Sequence, residues 1–235
     1  MNNPSLLRIY FLAVFLMISC LRSGYGQKVD QFNSWWYYSG TYQVSDRWSG
    51  NLLYSWSRHD FVKHWQISKL GLGTTYNVTK NLGVGLGYEW AIIFPYGELP
   101  VPERRVEHRI LERFYFKERI RNVSLSSTIE VEQFFRNGKF MQRVRTKVGL
   151  KFPLWIDPEG NRKVSMSFFE QIFIGIGDGA PSLGQNRYYG GFDLELWKNL
   201  SISLGYMNQY IIIRPETIEN DHTLMVGIFH KINLK

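Results

Sequence analysis

The chain has 235 residues, a net charge of +8 from 28 Lys and Arg against 20 Asp and Glu, 16% aromatic residues and a single cysteine. This length fits one β domain, and a lone Cys20 excludes a disulfide framework, a zinc-thiolate centre and a cysteine nucleophile in the mature chain. The basic residues alternate with apolar ones instead of forming a patch, so a nucleic-acid surface is excluded, while a lumen of paired charges or a surface for lipid A phosphates or an anionic solute stays open.

In chain order, Met1–Gly26 reads as an export signal. Arg8 supplies the basic start, Ile9–Cys20 an apolar stretch too short to span a bilayer as a helix, and Gly24-Tyr25-Gly26 small residues for cleavage before Gln27. Met17-Ile18-Ser19-Cys20 also resembles a degraded lipobox, and lipoprotein processing at Cys20 is the alternative. From Gln27 to Lys235 one domain is expected. Its apolar and polar residues alternate, and the pattern restarts about every dozen residues, the signature of strands with two different faces.

Strands are predicted near Phe32–Val44, Arg47–Arg58, Trp65–Asn77, Leu82–Phe94, Arg105–Lys117, Val123–Phe135, Phe140–Phe152, Lys163–Gly175, Arg187–Trp197, Leu200–Ile212 and Asp221–Asn233. Tight connections at Val44–Arg47, Val78–Lys80, Arg119–Asn122 and Trp197–Asn199 alternate with longer ones at His59–His64, Pro95–Arg104, Gly177–Asn186 and Arg214–Asn220. The pattern predicts an all-β fold: an up-and-down antiparallel transmembrane β-barrel of about ten to twelve strands, with short periplasmic turns and longer outer loops. Single-chain bacterial barrels have even strand numbers, so a count near eleven leaves the parity open. Asn137-Gly138 is a type I′ turn signal where the rhythm calls for a long loop.

That turn sets a register. Glu132 falls opposite Arg143, Glu130 opposite Arg145 and Thr128 opposite Lys147, leaving Leu125, Ile129, Val131, Val144, Val148 and Leu150 on the other face. Charges facing lipid cost about 2–4 kcal/mol each at the midplane, so the charged face is assigned to the lumen. The predicted lumen set is Glu107, Arg109, Arg113, Glu130, Glu132, Arg143, Arg145, Lys147, Gln171, Arg187, Asp193 and Glu195. Its near balance of sign favours a packed salt-bridge network over an open pore, and a polar route for a small solute is the alternative. Glu112 and Glu170 break the alternation and require a bulge or a buried charge.

A three-residue turn at Val78–Lys80 places Gly71 opposite Gly87, Gly73 opposite Gly85 and Thr75 opposite Gly83, a stretch of bare inner wall. Such a wall relieves curvature or forms a groove for a bulky side chain, a terminal segment or a ligand.

Signals for chemistry are few. Ser57 and His59 stand two apart, as in outer-membrane phospholipases but in reverse order. Leu52, Tyr54 and Trp56 claim the lipid face, which turns Ser57 and His59 inward with no clear third partner. His59, Asp60 and His64 share a loop but match no strong ligand spacing. Gly83-x-Gly85-x-Gly87 has no following helix to hold a dinucleotide, and the sequons at Asn77, Asn122 and Asn199 read as turn residues. No catalytic residues, metal or cofactor are therefore expected, and lipid hydrolysis is the enzymatic alternative.

Several short stretches resemble a known family. They are Glu107-His108-Arg109, Glu112-Arg113, Arg143-x-Arg145, Ser167-Phe168-Phe169-Glu170-Gln171, Gln185-Asn186-Arg187-Tyr188-Tyr189-x-Gly191 and Leu204-Gly205-Tyr206. Together they resemble the domain of unknown function 2490 family of bacterial outer-membrane β-barrels. The resemblance implies a barrel in the outer membrane of a Gram-negative bacterium, among its lipids and lipopolysaccharide, and implies no activity. Three functions follow as alternatives: a structural or narrow polar-lumen barrel, a lipid-active barrel, or a secreted lipocalin-like carrier. The last would turn Leu72, Val84, Leu86, Val144, Val148 and Leu150 inward and Arg143, Arg145 and Lys147 outward. Oligomeric state is not legible.

Overall fold

The computed structural model describes residues 27–94, 103–136, 139–177, 182–214 and 217–235. The predicted export signal, the Asn137-Gly138 turn and most of the Pro95–Arg104 loop lie outside the described residues. Eleven strands follow one another: β1 (Gln27–Gln43), β2 (Trp48–His59), β3 (His64–Asn77), β4 (Leu82–Ile93), β5 (Arg105–Ile120), β6 (Val123–Arg136), β7 (Lys139–Ile156), β8 (Arg162–Ile176), β9 (Ser182–Trp197), β10 (Leu200–Arg214) and β11 (Thr217–Asn233). Among the described residues no helix is long and apolar enough to cross a membrane.

Each strand pairs antiparallel with its sequence neighbours, and β1 closes the barrel against β11. That closing pair is parallel, from Gln27 beside Thr217 to Gln43 beside Asn233. The parallel seam is a consequence of parity. Every hairpin reverses the chain, so the first and the eleventh strand run the same way. The open question of strand count is thereby answered with an odd number.

The strands run 12 to 18 residues, and nine of them exceed the predicted lengths, whereas β2 matches its own and β4 ends one residue sooner. β9 begins at Ser182 and β11 at Thr217, so both take up parts of segments read as loops. The β6–β7 register agrees with the sequence reading: Glu132 faces Arg143, Glu130 faces Arg145 and Thr128 faces Lys147. The β3–β4 register requires a correction. Gly71 faces Glu89, Gly73 faces Gly87 and Thr75 faces Gly85, two residues away from the predicted pairing. The cause is the turn at 78–81: Thr79 N donates to Leu82 O at 3.0 Å, and Thr79 Oγ1 accepts from the Asn81 and Leu82 amides at 3.2 and 3.0 Å. A slip of two preserves the face of every side chain.

Facing follows the pleat. Inward Glu89 and Ala91 are 4% and 0% exposed, whereas the interleaved Leu86, Tyr88 and Trp90 are 56%, 45% and 40% exposed. Val144, Val148 and Leu150 point out, and Arg143 and Arg145 point in to Glu132 and Glu130. This is the reverse of a soluble carrier's wall. Glu112 and Glu170 need no bulge. Both sit in regular register and project from the outer face, Glu112 exposed beside Gln133 and Glu170 only 4% exposed.

Candidate functional site

The lumen holds the chemistry, and β4 to β7 carry its charged wall. Arg109 on β5 donates to Glu89 at 2.9 Å and to Glu107 at 2.6 Å. Two rows nearer the turns, Arg113 meets Glu130, which also meets Arg145. Arg145 reaches on to Glu132 at 3.2 Å, and Glu132 accepts from Arg143 Nε at 2.8 Å. Five arginine and glutamate side chains thus form one chain across three strands, its carboxylates 1–2% exposed. Desolvation makes such pairs expensive to form and more expensive to break singly.

Aromatic rings fill the spaces between guanidiniums. Arg143 lies 4.9 Å and Arg187 4.4 Å from the centre of Phe173, and Arg109 lies 5.6 Å from Phe134. Arg187 also stacks at 4.8 Å on Trp35, across the lumen on β1. Each desolvated contact of this kind contributes roughly 1–2 kcal/mol. Beside the charged wall sits an apolar plug of Tyr189, Met207 and Met225, packed by Trp35, Tyr37 and Phe169. Its tyrosines lie over bare backbone. A Cβ on Gly205 would stand 2.5 Å from the Tyr189 ring, and one on Gly227 would overlap Tyr37.

The predicted lumen set therefore divides. Glu107, Arg109, Arg113, Glu130, Glu132, Arg143 and Arg145 line one charged wall, in two ion-paired groups. Lys147 stands apart, 4.0 Å over the Phe169 ring, and Arg187 is held by rings and by Gln171 at 3.4 Å. Asp193 pairs with Lys151 at 2.8 Å and accepts from Ser167. Glu195 lines the turn-end cavity. Of the glycine wall, Gly73 and Gly87 lie beneath the Arg113 guanidinium, Gly85 beneath Tyr115 and Gly71 beside Leu53, while Gly83 faces backbone and the side chains of Asn77 and Thr75. The groove is thus filled by the protein's own side chains.

Sequence reasoning missed Glu89, Phe134, Phe173, Trp35 and Lys69, whose ammonium lies 5.7 Å from the centre of the Trp35 ring. The alternation held the signal. Glu89 follows Gly87 by two, Lys69 precedes Gly71 by two, and Phe134 and Phe173 follow Glu132 and Gln171 by two. The phenylalanines were hidden because apolar side chains read as lipid-facing.

Toward the turns the lumen is open. A cavity of about 920 Å³ is walled by short side chains, among them Ser39, Thr41, Ser49, Thr75 and Ser201. Arg47, Lys80, Lys117, Lys198 and Lys231 ring it against Asp46 and Glu195, a cationic excess. A second, smaller space of about 250 Å³ lies between Arg113, Glu130, Arg145 and Lys147. Ser57 and His59 point inward and are buried, as the alternation predicts. His64 stands 3.9 Å from Asp60 in their loop.

Residues 32–217 match the family described as Protein of unknown function (DUF2490), and the chain belongs to it. No curated protein and no solved structure shows a significant match.

Proposed function

We propose that the protein is an integral β-barrel of a Gram-negative outer membrane, exported by its N-terminal segment, and that it is a sealed binding cup and not a channel. The carrying observation is the gradient of side-chain size along the lumen. Arg143, Arg145, Arg187 and Phe173 pack in the half nearer the loops, Tyr189, Met207 and Met225 plug the middle of their strands, and serine and threonine leave a cavity of about 920 Å³ at the turn end. The apolar outer face supports the membrane setting, because exposed Leu72, Leu86, Ile110, Phe114 and Ile129 would be costly in water. Short turns face the periplasm in such barrels, so the cup opens there. Its cationic rim suits a small polar solute carrying negative charge.

Purified protein in planar bilayers tests the reading. The expected result is no steady conductance from the native chain and measurable current from a Tyr189→Ala/Met207→Ala variant. Large stable openings from the native protein would replace the cup with a pore. A lipid hydrolase is the enzymatic alternative, disfavoured because Ser57 is buried on the luminal side. Phospholipid cleavage abolished by Ser57→Ala would reinstate it.

A further inference from the structure

The outer wall carries a polar patch that the lumen reading leaves unused. Glu170, Tyr188, Asn208 and His222 are direct cross-strand partners on β8, β9, β10 and β11. All four project from the outer face, and the next row toward the loops adds Asn186 and Asn220. Asn186 Nδ2 donates to Glu170 at 3.2 Å and to Tyr188 Oη at 2.8 Å. Asn208 donates to Asn220 at 3.0 Å, Asn220 lies 2.9 Å from His222 Nε2, and Tyr206 Oη lies 2.6 Å from His222 Nδ1.

Apolar rows bound the patch. Met166, Phe192, Leu204 and Val226 lie on its turn side, and Ile174, Ile212 and Ile218 on its loop side. Polar side chains enclosed by an apolar, lipid-facing wall are costly and mark function by default. This wall also concentrates them in the half nearer the loops.

Two observations narrow the occupant. First, the polar atoms are recessed. Glu170 and Asn220 are 4% and 5% exposed although they point outward, so flanking side chains rise above them. A flat protein surface does not reach such a floor, and a slender chain reaches it only by parting those flanking side chains. Second, Asn186 Oδ1 is buried and has no hydrogen-bond partner. Among the described residues it is the one buried atom of the patch that calls for a donor from outside. Ester-linked acyl chains offer acceptors only, whereas amide N–H and hydroxyl groups offer donors.

We propose that this patch is a lateral binding site for one lipid of the leaflet at the loop end, whose acyl region carries amide N–H or hydroxyl donors. The proposal rests on the outer-membrane reading. The full chain is placed in phosphatidylcholine nanodiscs doped with either lipid A, which has amide-linked hydroxyacyl chains, or phosphatidylglycerol, which has ester links only. Lipid retained after detergent exchange is counted by native mass spectrometry.

Lipid A should be retained as one molecule per barrel and phosphatidylglycerol should be lost. Glu170→Leu and Asn186→Leu should each reduce lipid A retention about tenfold, the effect of losing one or two buried hydrogen bonds. Tyr188→Phe, which removes one hydroxyl, serves if either leucine variant fails to fold. Heat-modifiable gel migration in every sample reports folding. A native chain that does not enter nanodiscs overturns the membrane reading itself. Inserted variants that keep lipid A like the native chain, or a native chain that keeps both lipids equally, overturn the lateral site alone. Efficient disulfide dimers of an Asn208→Cys variant would assign the patch to a second copy and overturn the lipid.

Discussion

Replacing Arg145 by leucine tests whether the luminal charges are one dry network. Arg145 contacts both Glu130 and Glu132, whose side chains are 2% and 1% exposed, while its own is 20% exposed. Stranding a buried charge costs about 3–5 kcal/mol. Here each carboxylate keeps a second guanidinium, Arg113 for Glu130 and Arg143 for Glu132. The expected loss is therefore at the low end, about 3 kcal/mol. Removing Glu130 alone should cost less, since Arg145 retains Glu132, but it deprives Arg113 of Glu130. The double change Arg145→Leu/Glu130→Leu should fall short of the sum of the singles by about 1–2 kcal/mol, as expected for neighbours in one network. Urea unfolding of the refolded barrel in detergent, followed by tryptophan fluorescence and gel migration, measures these values. An Arg145→Leu loss below about 0.5 kcal/mol, the range of an exposed pair, would refute the dry network and imply a hydrated lumen.

Four further outcomes follow. Val148→Arg should impair folding into bilayers by about 2–4 kcal/mol while sparing the detergent-folded state, and equal insertion would invert the face assignment. Gly205→Ala should cost about 1–3 kcal/mol by crowding Tyr189, and Tyr189→Ala in the same chain should relieve part of that loss in the same urea titration. Affinity tags beyond Gln27 and Lys235 should be accessible from opposite sides of the membrane, and protease protection of both tags on one side would contradict the eleven-strand closure. The Asn161 side chain donates to Asp157 and, with a backbone bond, holds its carboxyl below the usual value. The stabilisation of that turn is therefore present above the unfolded-state value and lost as pH falls through the lowered folded-state one. A pH titration of the Asn161 amide by NMR should show its midpoint depressed, and an ordinary aspartate midpoint would contradict the contact.

The strand sequence and the facing of side chains were legible because a period of two with one apolar face leaves few alternatives. The β6–β7 pairing was legible because Asn137-Gly138 is a turn signal in the sequence itself, and the register counted from it is the one observed. The β3–β4 pairing was misplaced by two because nothing in Val78-Thr79-Lys80-Asn81 announces that the Thr79 side chain will fold the turn around itself. Ion-pair partners were legible only where both members sit on one hairpin, as with Glu132 and Arg143. The stacking of Arg187 on Trp35 joins strands distant in sequence and depends on barrel closure, which no local pattern encodes. The outer-face patch was visible only through one exception to the alternation, Glu170. Seeing that Glu170 heads a row across four strands requires the registers of three hairpins at once.

The odd strand count and the luminal chemistry are linked through width. Eight strands give an interior that ordinary side chains fill, and each added strand widens the ring. The lumen of a ring of eleven is filled only where long side chains reach inward from several walls. Arginine suits this because its stem spans the gap and its planar head binds a carboxylate on one side while stacking on a ring. Arg143 and Arg145 do both, against Glu132 and Phe173. Where the inward residues are serine and threonine the same width becomes a cavity. The boundary between plug and cup is thus set by side-chain length at successive inward positions. Enlarging the cup by shortening Tyr189 or Met207 should move that boundary toward the loops without changing the barrel.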